Sequence, residues 1–166
     1  MLRSAGLLLL RLSVGGTLMA PGYPKLFGGP EKHAPERLTK VLGPNWPLMV
    51  ESEHMGPIGF AAGLEKMGVP YPLAGAYLSG GAEFFGGAAL LIGFKTRLVA
   101  IPVLINMGTA IRMAHWKAGF FGAEKGGFEF PLSLATGAAT LGLTGPGAFS
   151  VDGLCALLRR RCGKSR

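Results

Sequence analysis

One carboxylate, Glu83, sits near the middle of the apolar segment YPLAGAYLSGGAEFFGGAALLIGF, between Gly80-Gly81 and Gly86-Gly87. In a stretch long enough to cross a bilayer such a group is costly. It faces a bundle interior, pairs with something, or does chemistry. Counting ~1.5 Å per helical residue from the turn Lys95-Thr96-Arg97 puts Glu83 about 15 Å deep, and Asn106 on the next segment at the same height. Arg11 lies roughly 10 Å into the first segment, and its long side chain reaches further. A carboxylate, a guanidinium and an amide at one depth predict a buried polar group. Two readings are open to it: an ion pair that fixes helix packing, or an acid that handles protons or holds a ligand.

A second set gathers at the opposite end of the same segments. Arg112 and His115 are three apart and share a helix face, Glu129 opens the fourth apolar segment, and Lys25 ends the first. His115 can move a proton or hydrogen-bond Glu129. Glu83, His115 and Glu129 are therefore the candidate catalytic residues. Other chemistries are excluded by type and spacing. The histidines are His33, His54 and His115, and the first two lie in a polar loop, so no bis-histidine pair exists at membrane depth for haem. No cluster has zinc or copper spacing, and no metal is expected. There is no phosphate loop, no dinucleotide fingerprint and no Ser-His-Asp arrangement. Cys155 and Cys162 lack CxxC spacing.

The elements that must position these residues are apolar. Of the 166 residues 49% are hydrophobic and only 16% charged, against about 25% charged in soluble domains. Four apolar segments, roughly 4–27, 71–94, 96–116 and 127–149, each reach the ~20 residues that span a bilayer as a helix. The net charge of +8 does not point to nucleic acid, because of where the charges fall. Arg3, Lys95, Arg97, Arg159, Arg160, Arg161, Lys164 and Arg166 share one set of ends, opposed only by Asp152. Lys25, Lys32, Arg37, Lys40, Lys66, Lys117 and Lys125 share the other, nearly cancelled by Glu31, Glu36, Glu51, Glu53, Glu65 and Glu124. The basic turn and tail place both termini in the cytoplasm. The tail can also meet anionic lipid, at ~1 kcal/mol per basic residue near the surface.

Arg3 and the run Leu7-Leu8-Leu9-Leu10 resemble a signal peptide, but Arg11 breaks the run and no Ala-x-Ala site follows, so an uncleaved first helix is expected. The loop 28–70 is too long for a simple connection, and helices are predicted within it over 35–42 and 58–67. Ser150-Val151-Asp152 can cap a short amphipathic tail helix over 153–161. Ala82 with Gly86, Ala135 with Ala139, and Ala138 with Gly142 form small-xxx-small pairs suited to close helix packing in lipid.

The combination of motifs resembles the DoxX family of membrane proteins. It is carried by Gly22-Tyr23-Pro24-Lys25-Leu26-Phe27-Gly28-Gly29, by Ala82-Glu83-Phe84-Phe85-Gly86-Gly87, and by the turn Gly93-Phe94-Lys95-Thr96-Arg97. His115 with Gly119-Phe120-Phe121, the segment Gly126-Gly127-Phe128-Glu129-Phe130-Pro131, and Gly145-Pro146-Gly147 through Ser150-Val151-Asp152 complete it. The resemblance implies a four-helix inner-membrane protein, related to subunits linked to thiosulfate:quinone or quinol oxidoreductases and to one grouped with thiol-stress enzymes. It makes Arg11, Lys25, Glu83, His115 and Glu129 the family's polar positions. Two departures stand out: Pro21 occupies the place where the helix-one motif often has histidine, and the outer loop is longer than usual.

The expectation is thus an all-α membrane protein, a four-transmembrane-helix bundle over 1–153 with an extended outer loop at 28–70 and a basic cytoplasmic tail at 154–166. It would be a multi-pass protein of the cell inner membrane and a small quinone-associated subunit of an oxidoreductase complex. The quinone head group would lie among Lys25, Arg112, His115 and Glu129, with Arg11, Glu83 and Asn106 as buried support. Its partners would be lipid, other oxidoreductase subunits and further copies of itself, not nucleic acid. The contrasting expectation is a structural or assembly subunit whose charges serve packing alone.

Overall fold

The computed structural model describes residues 2–122 and 126–163, apart from the side chains of 160–163. Glu124, Lys125, Lys164 and Arg166 of the two charge sets, and the side chains of Arg160, Arg161 and Cys162, lie outside the described part. Among the described residues every regular element is helical: α1 Leu2–Phe27, α2 Glu36–Leu42, α3 Trp46–Val50, α4 Gly56–Lys66, α5 Pro72–Ile92, α6 Thr96–Ala110, α7 Glu129–Thr144 and α8 Val151–Gly163. A π-helical turn, Ile111–His115, and a 3-10 turn, Trp116–Ala118, continue α6.

Among the described residues, two helices have both the length and the hydropathy to cross a membrane: α1, and the run Thr96–Ala118 formed by α6 and its two turns. The 21 residues of α5 reach about 31 Å. The 16 residues of α7 rise only about 24 Å. The long loop 28–70 folds into α2, α3 and α4. The first and last of these fall where helices were predicted. The five-residue α3, with Pro47 in its first turn, was not anticipated.

The chain divides into two compact units. One comprises Met1–Thr17 and Gly86–Arg166, and the other Leu18–Phe85. In the first, α6 packs along α7, and Leu7, Val14, Leu90, Ala100, Val103, Met107, Leu134 and Leu141 form the core. Glycines set the closeness of this packing. A Cβ at Gly15 would lie 2.6 Å from the Gly87 carbonyl oxygen, and one at Gly137 would lie 2.5 Å from Val14 Cγ2. Such small residues are what allow helices to associate in lipid.

The first unit also ties α8 to the turn between α5 and α6. Asp152 accepts hydrogen bonds from the backbone N–H groups of Lys95 (2.9 Å) and Thr96 (3.1 Å), capping the start of α6. The Asp152 N–H in turn donates to the Gly93 carbonyl at 3.0 Å. Lys95 sits in the left-handed region (φ 45°), a strained place for a side-chain-bearing residue, and this clamp holds it there. Ser150 caps α8 itself, its Oγ accepting from the Gly153 N–H at 2.9 Å.

In the second unit, Leu18, Trp46, Val50, Ala61 and Ala76 are buried. The end of α1 is joined to α3 by a hydrogen bond from the Gly29 N–H to the Val50 carbonyl, 2.8 Å. The long loop is thus packed into the unit that holds Lys25 and Glu83.

Candidate functional site

Gly22 creates the site. A Cβ there would lie 2.5 Å from the Phe84 amide nitrogen and 2.9 Å from Glu83 Cβ, so only a glycine lets α1 approach α5 at this level. Lys25 follows three residues later on the same face. Helical side chains lean toward the N-terminus of their helix. The lysine therefore reaches back about a turn, and its Nζ lies 2.6 Å from both Oε1 and Oε2 of Glu83. The Glu83 side chain is 5% exposed and that of Lys25 18%. Lys25 is thus a partner for Glu83 that depth counting along α-carbons did not find. The Gly22-x-x-Lys25 spacing was the available signal.

One aromatic ring lies against the pair, and others cluster among themselves in the same unit. Phe60 of α4 lies with its centroid 4.8 Å from Lys25 Nζ, a cation–π contact. Tyr23 packs on Phe27 (5.2 Å), Trp46 (5.7 Å) and Phe84 (5.9 Å), and Phe27 packs edge-on to Phe84. Trp46 is 4% exposed, and its indole Nε1 is buried with no hydrogen-bond partner. A buried donor left unspent is unfavourable by about 1–3 kcal/mol, and such groups call for an explanation. The unit thus offers an ammonium and a carboxylate in contact under one ring, and a spare indole N–H within an aromatic cluster. It can donate to a carbonyl oxygen and hold a proton close by.

The set expected at the far end of α6 is arranged differently. Arg112 and His115 lie in the π-helical turn, a feature that often marks functional segments. His115 Nδ1 is 3.2 Å from the Gly126 carbonyl oxygen. Glu129 opens α7, and its Oε2 is buried without a hydrogen-bond partner. Among the described residues no ion pair joins Arg112 or His115 to Glu129. Trp116 and Phe128 stack here at 5.7 Å, with Phe120 edge-on to Phe128.

Arg11 belongs to the first unit and is 1% exposed. Its Nη1 donates to the Leu91 carbonyl at 3.3 Å and its Nη2 to the Phe149 carbonyl, while Nε has no partner. The guanidinium therefore serves the backbone that leads into α8. Asn106 is half-buried on α6.

Among the described residues, all regular structure is helical and two helices are long and apolar enough to cross a bilayer. Comparison with known proteins agrees and names the class. The DoxX family model matches residues 6–116. Over 122 residues, covering 67% of this chain and 71% of the relative, the sequence is 33% identical to an uncharacterized membrane protein of Mycobacterium tuberculosis, Rv3486. No solved structure matches. This chain belongs to the DoxX family and is a membrane protein. The matched stretch contains Arg11, Lys25, Glu83, Asn106, Arg112 and His115 and ends before Glu129.

Proposed function

We propose that this DoxX-family protein is a four-span protein of the inner membrane, with both termini cytoplasmic, that serves as a small quinone-associated subunit of an oxidoreductase complex. What carries the reading is the Lys25–Glu83 pair beneath Phe60, in the same unit that buries Trp46 with its unspent indole N–H. Of the four residues expected around a quinone head group, Lys25 is the one retained, and Glu83 and Trp46 join it.

The residues present fit a flat ring bearing carbonyl oxygens. Lys25 Nζ and Trp46 Nε1 supply donors for such oxygens, and Tyr23, Phe27 and Phe84 supply the apolar walls that such sites use. A quinone, when bound, accepts two electrons and two protons. The electrons would come from a partner subunit that carries the redox centre. Glu83 would hold Lys25 in place and keep a proton-accepting group at its side. The Gly22 contact and the helices α3 and α4 would keep water from the pair.

The test uses the full-length chain carrying Trp116→Phe, so that Trp46 alone reports. Titration with a short-chain quinone is expected to quench Trp46 saturably. Lys25→Met should raise the midpoint tenfold to a hundredfold, roughly the 1.5–3 kcal/mol of a hydrogen bond from a charged group. Identical midpoints in the two proteins, with Lys25→Met merely less stable, would instead establish the pair as a packing element of a structural subunit. The tight seat of Gly22 on Glu83 and Phe84 is the observation that favours that second reading.

A further inference from the structure

We infer that α8 and the turn that anchors it form a docking surface for acidic lipid headgroups, with α8 lying along the membrane surface. The helix is amphipathic. Val151, Leu154, Cys155 and Leu158 fall on one stripe at spacings of three and four, and all are exposed. Leu154 is 56% exposed and Leu158 51%, so the described part of the protein does not cover the stripe. Exposed Arg159 follows it, and the sequence continues through Arg160, Arg161, Lys164 and Arg166. An apolar stripe with adjoining basic residues is the pattern of helices that lie in the interface plane and favour anionic lipid.

The anchor points fix where this helix must lie. The first turn of α8 is held to the start of α6 through Asp152, and α6 begins a run long and apolar enough to cross the bilayer. The first residues of α8 therefore sit at the end of a spanning helix, at the level of the headgroups. Arg11 secures the same corner from within by donating to the Phe149 carbonyl. Lys95 and Arg97 in the anchoring turn are exposed, as are Phe94 and Phe149 beside them, giving basic groups and aromatic rings at one level. Aromatic side chains favour this zone of a membrane. A soluble partner would also have to cover the stripe, but it would sit where lipid already stands. The charge on the helix and on its anchor suits an anionic surface.

Cys155 is exposed and provides a native attachment point. The full chain with Cys162→Ser, labelled at Cys155 with a small fluorophore, is placed in lipid discs made of zwitterionic lipid alone or with acidic lipid added. A nitroxide carried on the lipid headgroup should quench the label strongly in acidic discs, and added salt should weaken the effect. Charge reversal at Arg159, Arg160 and Arg161 should move the label toward an aqueous quencher, by about fivefold in surface partition per basic residue lost. Quenching by the aqueous agent alone in both kinds of disc would overturn the proposal. So would headgroup quenching that is equally strong in both discs and unmoved by the charge reversal.

Discussion

The ion pair between Lys25 and Glu83 predicts an uneven response to breaking it from its two sides. Each oxygen of Glu83 is 2.6 Å from Lys25 Nζ, and the carboxylate side chain is 5% exposed against 18% for the lysine. Removing one member of a buried pair destabilises by about 3–5 kcal/mol, because the remaining charge has left water without its counterpart. Lys25→Met takes the ammonium from the more deeply placed partner and belongs in that range. Glu83→Gln leaves an ammonium that is nearer water and still rests on the Phe60 ring, so about 1.5–3 kcal/mol is expected, the value for losing hydrogen bonds to a charged group. The double variant, which removes both charges, should be no less stable than Lys25→Met. The cycle should then yield a coupling energy of at least about 1.5 kcal/mol. The measurement is unfolding in mixed detergent micelles, followed by Trp46, which packs on Tyr23 in the same cluster. A coupling under about 0.5 kcal/mol, or a Lys25→Met protein as stable as the parent, would refute the reasoning.

Three further substitutions test the packing and the clamp. Gly22→Ala should lower the melting temperature by the equivalent of about 1–3 kcal/mol, since the added methyl meets backbone at 2.5 Å. Gly81→Ala on α5, where a Cβ meets nothing within 4 Å, should be neutral or stabilising by up to about 1 kcal/mol. Asp152→Ala removes both acceptors at the start of α6 and should cost about 0.5–2 kcal/mol. Hydrogen exchange at the amides of Lys95 and Thr96 should rise with it.

Much of the helix plan could be read directly from the sequence. The four apolar segments became α1, α5, α6 with its turns, and α7, and the proline- and glycine-rich loop held α2 and α4 as its periodicity suggested. The short helix α3 could not be read, since five residues, one of them Pro47, show no period. Nothing in Ile111-Arg112-Met113-Ala114-His115 marks the change to a π-helical turn, because that depends on what packs around it. At the site, Glu83 announced itself as an acid among apolar residues. Its partnership with Lys25 stayed hidden because depth was counted along α-carbons, whereas the lysine's charge lies about a turn below its own backbone. Arg11 read as a charge seeking a charge, yet its guanidinium donates to the carbonyls of Leu91 and Phe149. Backbone acceptors of that kind leave no trace in side-chain spacing.

The clamp made by Asp152 has a consequence for how the protein is made. The amides it caps, those of Lys95 and Thr96, precede it by 57 and 56 residues. At roughly 5–20 residues per second, the start of α6 waits several seconds after synthesis for its acceptor to be translated. Until then those N–H groups depend on water, and the hairpin of α5 and α6 must keep its turn at the wet surface rather than settle fully into place. Completion of the last helix is therefore also completion of an early one, and a chain cut short before residue 152 would carry an unfinished turn far from the cut.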